Sequence, residues 1–258
     1  MSGVDALERR PGVLGLVAGT LVRPRTTLLT MGRIKRRWWG IPALLMLVVL
    51  IVTVVAYSRA DCQYVHRLEM NHYLSSTTQG GRPPEPPTPL LITMAIRAGG
   101  RVVSTVVSWL AWSGALYLLL ILLGQNDVGF GRVWALVLWS WMPYVVRGLI
   151  QSVTMTIAHR PIYNQGLSGL VVDSTPPPPM TFRYVIPTTN QRALASLLER
   201  VDVYLVWQLV LLVMGTMALT SLPRRKAIAV ICGILVGFTL ISLVPEFFPG
   251  TFARFRYF

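Results

Sequence analysis

The chain has 258 residues, 53% of them hydrophobic and only 13% charged, with a mean hydropathy of +0.56. A soluble domain carries about a quarter charged residues and a disordered chain needs low hydrophobicity. Both classes are therefore excluded, and a polytopic membrane protein remains. The 24 Lys and Arg against 10 Asp and Glu leave a formal +14. On so apolar a chain this charge belongs to membrane-flanking segments, which the positive-inside rule fills with basic residues, and no nucleic-acid partner is expected.

Residues 1–37 read as a cytoplasmic N-terminal segment. Met1 to Gly12 is polar with no apolar core, so no cleaved signal peptide is expected there. Leu14, Val17, Leu21 and Val22 fall near helical spacing, close to the basic Arg23 and Arg25. This predicts an interfacial amphipathic helix on the inner membrane surface. Arg33, Lys35, Arg36 and Arg37 follow and are candidates for contact with anionic lipid.

From 38 to 246 the chain reads as a membrane domain. It holds five apolar runs at about 38–57, 102–123, 133–156, 202–221 and 227–244, each near the roughly 20 residues a helix needs to cross a bilayer. The frequent Val and Ile do not argue against helix, because a backbone in lipid must satisfy its hydrogen bonds internally. The expected fold class is all-α: five transmembrane helices plus the N-terminal interfacial helix. Pro143 is expected to kink the third span. Segments 58–101 and 157–201 are expected as outer loops, 124–132 as a tight turn, and 247–258 as a short exterior tail. Eight basic residues precede the first span, and Arg224, Arg225 and Lys226 crowd the link between the fourth and fifth. Both stretches should face the cytoplasm, so five spans place the N-terminus inside and the C-terminus outside.

Few residues could carry chemistry. Arg147 lies about 14 residues into the third run, roughly 21 Å from its inner boundary at 1.5 Å per residue. A charge inside a membrane is a candidate functional group, although arginine can also snorkel to the nearby interface. Asp202 opens the fourth span at a similar height, which suggests an Arg147–Asp202 contact. Gln151 shares a helical face with Arg147, and Gln208 lies inside the fourth span; both suit interhelical hydrogen bonding. Ala229, Gly233 and Gly237, and in the second span Ser104 and Ser108, place small residues four apart. That spacing lets helices pack closely, within the bundle or between two copies of the chain.

Enzymatic templates fail. The chain has no H-E-x-x-H helix and no phosphate loop. His66, His72 and His159 all fall in the expected outer loops without metal-ligand spacing. The run Gly166 to Gly169 resembles a serine-protease G-x-S-G but sits in a loop, and no span holds a histidine. Cys62 and Cys232 are expected at different depths, so no disulfide is expected between them. No cofactor and no catalysis are expected.

Several segments together resemble one family: GLVAGTLVRPRTTL before the first span, GQNDVGFGRVWALVLWSWMPYVVRGLIQ, NQGLSGLV, and ASLLERVDVYLVWQLVLLVMGTMALTSLPRRKAIAV. The order is an apolar span, a Gly-containing turn, a span with an internal proline, a loop, an acid-aromatic-Trp span and a basic turn into the last span. This resembles a bacterial member of the Yip domain family, named for Ypt/Rab-interacting proteins. The resemblance implies a five-span bundle with a cytoplasmic N-terminus. The Asp-Leu-Tyr-Gly-Pro type segment of eukaryotic relatives is missing, so their GTPase binding is not carried over. The reading is a non-enzymatic integral protein of a bacterial inner (plasma) membrane. It would be a scaffold or accessory subunit of a larger membrane complex, partnered by membrane lipids and another membrane protein, or forming a homo-oligomer. The alternative is a small permease or a transporter accessory subunit, with Arg147, Gln151, Gln208 and Asp202 lining a hydrated path.

Overall fold

The computed structural model describes residues 40–75, 91–162 and 201–247, with Gly15, Gly19, Thr20, Thr27, Leu194 and Leu198. Among the described residues every regular element is helical: α1 (Gly40–Ser75), α2 (Leu91–Leu122), α3 (Phe130–Ser140), α4 (Met142–Ala158), α5 (Val203–Leu219) and α6 (Arg224–Phe247). The basic candidates Arg33, Lys35, Arg36 and Arg37 lie outside the described residues. So do the proline-rich stretches of both expected loops, the G-x-S-G run and, apart from four isolated residues, the expected interfacial helix.

Three helical stretches, Gly40–Asn71, Leu91–Leu122 and Phe130–Ala158, are long and apolar enough to cross a membrane; Val203–Leu219 is apolar but shorter. The third is α3 and α4 in one rod, interrupted at Trp141. Pro143 has no N–H to offer the carbonyl four residues back, and its ring crowds that turn. The chain responds with a tighter turn, in which the Trp141 amide donates to the Leu138 carbonyl at 3.3 Å. Pro143 then falls in the first turn of α4, where a missing donor costs least.

α1 and α2 outrun their apolar segments. Residues 58–75 and 91–101, expected within an outer loop, are helical. At 36 residues, α1 is about 54 Å long against a hydrocarbon core of about 30 Å. Its polar half is held by contacts that hydropathy does not show. Asp61 pairs with Arg97 of α2 at 3.8 Å, and Arg67 donates to the His159 carbonyl at the end of α4.

Contacts fix the directions of the rods. Along α1, Thr53 meets Gly148 and Ser152, and further on Arg67 meets His159, so α1 and α4 run in parallel. α2 runs the other way, with Arg97 beside Asp61 and Trp109 in one cluster with Met46 and Val49. α5 opposes the α3–α4 rod, since Asp202 faces Arg147 and Gly215 lies against Leu136. The short turn at 220–223 then sends α6 back beside α2, where Phe238 packs edge-on to Trp112 with ring centroids 5.3 Å apart. The five rods therefore alternate in direction.

The two tight turns meet at one end. α2 closes on Gly124 at φ +80, a left-handed cap that glycine adopts without strain. Gln125 Oε1 then accepts from the amide and the hydroxyl of Ser221, both at 3.3 Å.

The core has two parts that meet at Trp141. One gathers Leu116, Leu120, Val133, Val137, Leu212 and Ile231 from α2, α3, α5 and α6. The other gathers Met46, Val49, Trp109, Leu138 and Met142 from α1 to α4. Outward faces expose Leu44, Val48, Ile96, Val103, Leu118 and Val206. Water would penalise such a surface heavily, whereas lipid tails are as apolar as these side chains. The chain is an integral membrane protein.

Candidate functional site

Several polar residues inside the bundle group along α4, among them Arg147, Gln151 and Ser152. Arg147 projects from α4 toward the first residue before α5, and its Nη1 lies 2.8 Å from Asp202 Oδ2. Both side chains are nearly buried, 14% and 11% exposed. Asp202 also works on its own helix: its Oδ1 accepts the Leu205 amide at 2.7 Å and caps α5. The acid thus satisfies an orphan donor of the helix and a guanidinium together. The Arg147 guanidinium also sits 5.8 Å from the centre of the Tyr144 ring, one turn earlier on α4, a cation–π distance.

Arg147 and Gln151 open onto a cavity of about 750 Å³ between α1, α2 and α4. Its lining includes Tyr57 from α1, Arg97, Arg101, Ser104 and Thr105 from α2, and Tyr144 from α4. Gln208 is not part of it. That side chain is 2% exposed within the bundle, and its Nε2 has no hydrogen-bond partner. Asp202 is not among the lining residues either. The four residues expected along one hydrated path are thus divided: two face the cavity and two are set into the packed interior.

Under the cavity, α1 and α4 are joined by a small polar knot. Thr53 Oγ1 lies 2.8 Å from the Val49 carbonyl, 3.3 Å from the Gly148 carbonyl and 3.1 Å from Ser152 Oγ, which itself donates to the Gly148 carbonyl at 2.7 Å. A methyl group on Gly148 would stand 2.6 Å from Val49 Cγ1, and one on Gly215 would stand 1.9 Å from Leu136 Cδ1. These two glycines carry the close helix approaches inside the bundle.

The small-residue series expected to do so sits differently. Ala229 and Gly233 are exposed, and a methyl group on Gly233 or Gly237 would meet nothing within 4 Å. As a packing face within the bundle this expectation is corrected. α6 turns Ala227, Ile231 and Ile234 inward instead, because larger apolar side chains at helical spacing fill a core better than hydrogens do. Ser104 is exposed at the cavity, and Ser108 bonds back to the Ser104 carbonyl at 2.9 Å within its own helix.

Arg97, Arg101 and Tyr57 did not stand out in the sequence as site residues, because the apolar runs placed the two arginines in a loop. The signal was the apolar stretch LLITMAI just before Arg97. It continues the helix backward from 102 and sets Arg97 and Arg101 four apart on one face. Among the described residues no group of three His, Cys, Asp or Glu is placed to hold a metal ion.

A family model described as the Yip1 domain matches residues 18–244. No curated protein and no solved structure matches.

Proposed function

Since the chain belongs to the Yip1 domain family, we propose that it is a five-span, non-enzymatic protein of a bacterial inner membrane, acting as a scaffold or accessory subunit of a larger membrane complex. The described helices agree with five crossings. The rods alternate in direction, and the 17 residues of α5 lie at the short end of the range that spans. The basic turn at Arg224, Arg225 and Lys226 faces the cytoplasm by charge, which puts the N-terminus inside and the C-terminus outside.

The observation that carries the scaffold reading is the open face of α6. Ala229, Gly233 and Gly237 form a small-residue face that no described residue fills at the two glycines, and such a face admits a second helix at close range. Purification in mild detergent followed by mass spectrometry tests it. A membrane-protein partner, or a second copy, should co-purify with the native chain and be lost from Gly233→Leu, with the fold retained. Isolation as a lone monomer with no enriched partner overturns the reading.

A second reading, a small permease or transporter accessory, draws on the cavity at Arg147 and Gln151. It is the weaker one. Met46, Val49 and Trp141 line the cavity and also belong to or pack on the core cluster with Leu138 and Met142. Gln208 is buried within the bundle and does not line the cavity. Solute flux into proteoliposomes that Arg147→Ala abolishes would favour transport over the scaffold.

A further inference from the structure

The cavity between α1, α2 and α4 gathers three arginines. Arg97 and Arg101 stand one helical turn apart on α2, both exposed, and Arg147 lies deeper and nearly buried. Two carboxylates serve this group from outside the lining: Asp61 at 3.8 Å from Arg97, and Asp202 at 2.8 Å from Arg147. Arg101 has no ion pair among the described residues. Among the described residues Arg101 is thus the guanidinium at this cavity that no carboxylate engages. Among the described residues that line the cavity none is acidic.

The remaining lining divides by chemistry. Hydroxyls of Tyr57, Ser104 and Thr105 and the amide of Gln151 surround the arginines. Val49, Leu50 and Val54 of α1 make an apolar wall. Gly100 also lines the cavity, between the two α2 arginines in sequence. Guanidinium forks match phosphate oxygens in paired hydrogen bonds, and basic pockets between membrane helices suit lipid headgroups. The volume of about 750 Å³ falls among small-molecule sites, which run from about 300 to 1,000 Å³.

We propose that this cavity binds a phosphate ester anion through Arg97, Arg101 and Arg147, with the apolar wall beside it receiving the start of an acyl chain. The site lies at the end of the bundle away from the Gln125–Ser221 contact. It is independent of whether the α6 face has a partner.

The test uses the full-length protein in detergent, read by native mass spectrometry and by thermal shift. The probes are dioleoyl phosphatidylglycerol, dioleoylglycerol with the same chains and no phosphate, and inorganic phosphate. Phosphatidylglycerol should bind and raise the melting temperature, and dioleoylglycerol should not. The double variant Arg97→Gln/Arg101→Gln should weaken binding about tenfold or more. Arg225→Gln, at the other end of the bundle, should leave it unchanged. Arg101→Gln alone, which breaks no ion pair among the described residues, should weaken binding in the same direction and serves if the double variant is unstable. Competition by inorganic phosphate identifies a site that free phosphate can fill. Binding of the lipid without such competition identifies the headgroup within a lipid as the ligand. Equal binding of phosphatidylglycerol and dioleoylglycerol, or unchanged binding in a folded Arg101→Gln variant, overturns the proposal.

Discussion

Arg147 Nη1 lies 2.8 Å from Asp202 Oδ2 while Asp202 Oδ1 holds the Leu205 amide at 2.7 Å. One carboxylate thereby fixes the start of α5 to the middle of α4. Removing either partner breaks a nearly buried ion pair, so Arg147→Ala and Asp202→Ala should each cost about 1–3 kcal/mol. The double variant should cost little more than the larger single change, with a coupling of about 1–2 kcal/mol. Asp202→Asn keeps an N-cap acceptor and should therefore recover about 1 kcal/mol relative to Asp202→Ala. Reversible unfolding in mixed micelles measures all four. Additive single costs would show that the two side chains act independently.

Two kinds of glycine are distinguished by what surrounds them. Gly148→Ala drives a methyl into Val49, whose β-branched side chain has little rotamer freedom. Gly215→Ala meets the far end of Leu136, which is more flexible but buried. Both should destabilise the isolated chain, Gly148→Ala by about 1–3 kcal/mol and Gly215→Ala by less. Val49→Ala should partly rescue the first, because it removes the clashing methyls. Gly233→Ala and Gly237→Ala should leave the melting temperature of the monomer unchanged or slightly raised, since alanine is the better helix former. Melting curves of the purified variants settle the order.

The knot between α1 and α4 makes a smaller prediction. Thr53→Val keeps shape but removes the hydroxyl shared with the Gly148 carbonyl and Ser152 Oγ. Interhelical hydrogen bonds in membranes contribute about 0.6 kcal/mol on average, rarely above about 2, and Thr53→Val should fall in that range. Thr154→Val, whose hydroxyl bonds only within its own helix at 2.8 Å, should cost less. Unfolding free energies for the pair give the contrast, and equal costs would remove the interhelical role of Thr53.

What hydropathy reveals here is where apolar helix must exist, and what it misses is where helix continues without it. The runs at 133–156 and 202–221 lie close to the observed Phe130–Ala158 and Val203–Leu219, because in both the apolar stretch and the helix end together. Asp202, a good cap residue, marks one such end directly. α1 and α2 run on for 18 and 11 residues beyond 57 and before 102. Those turns are held by Asp61–Arg97 and Arg67–His159, pairings between distant segments that periodicity cannot contain. The cavity was hidden for the same reason, since it needs α2 to begin at Leu91. Glycine spacing misled in a related way: four-residue repeats at 229–237 stand out by pattern, whereas Gly148 and Gly215 matter singly, through the side chains opposite them.

The alternation of the rods predicts which native and introduced thiols share a side of the membrane. Cys62 is a free, half-buried thiol on α1, one residue past Asp61 and so at the Arg97 end of the bundle. Gln125 and Ser221 bond to each other at the opposite end. In the proposed orientation, drawn from the positive charge at Arg224, Arg225 and Lys226, that second end is cytoplasmic. In intact cells, a membrane-impermeant maleimide should therefore label Cys62 in a Cys232→Ser chain. Gln125→Cys in a Cys62→Ser/Cys232→Ser chain should label only after permeabilisation, and Arg225→Cys in that background should behave like Gln125→Cys. Labelling of Cys62 and the Gln125 position from the same side would contradict the antiparallel course of α1 and α2. The reverse pattern, with Gln125 outside and Cys62 inside, would preserve the bundle and invert its orientation.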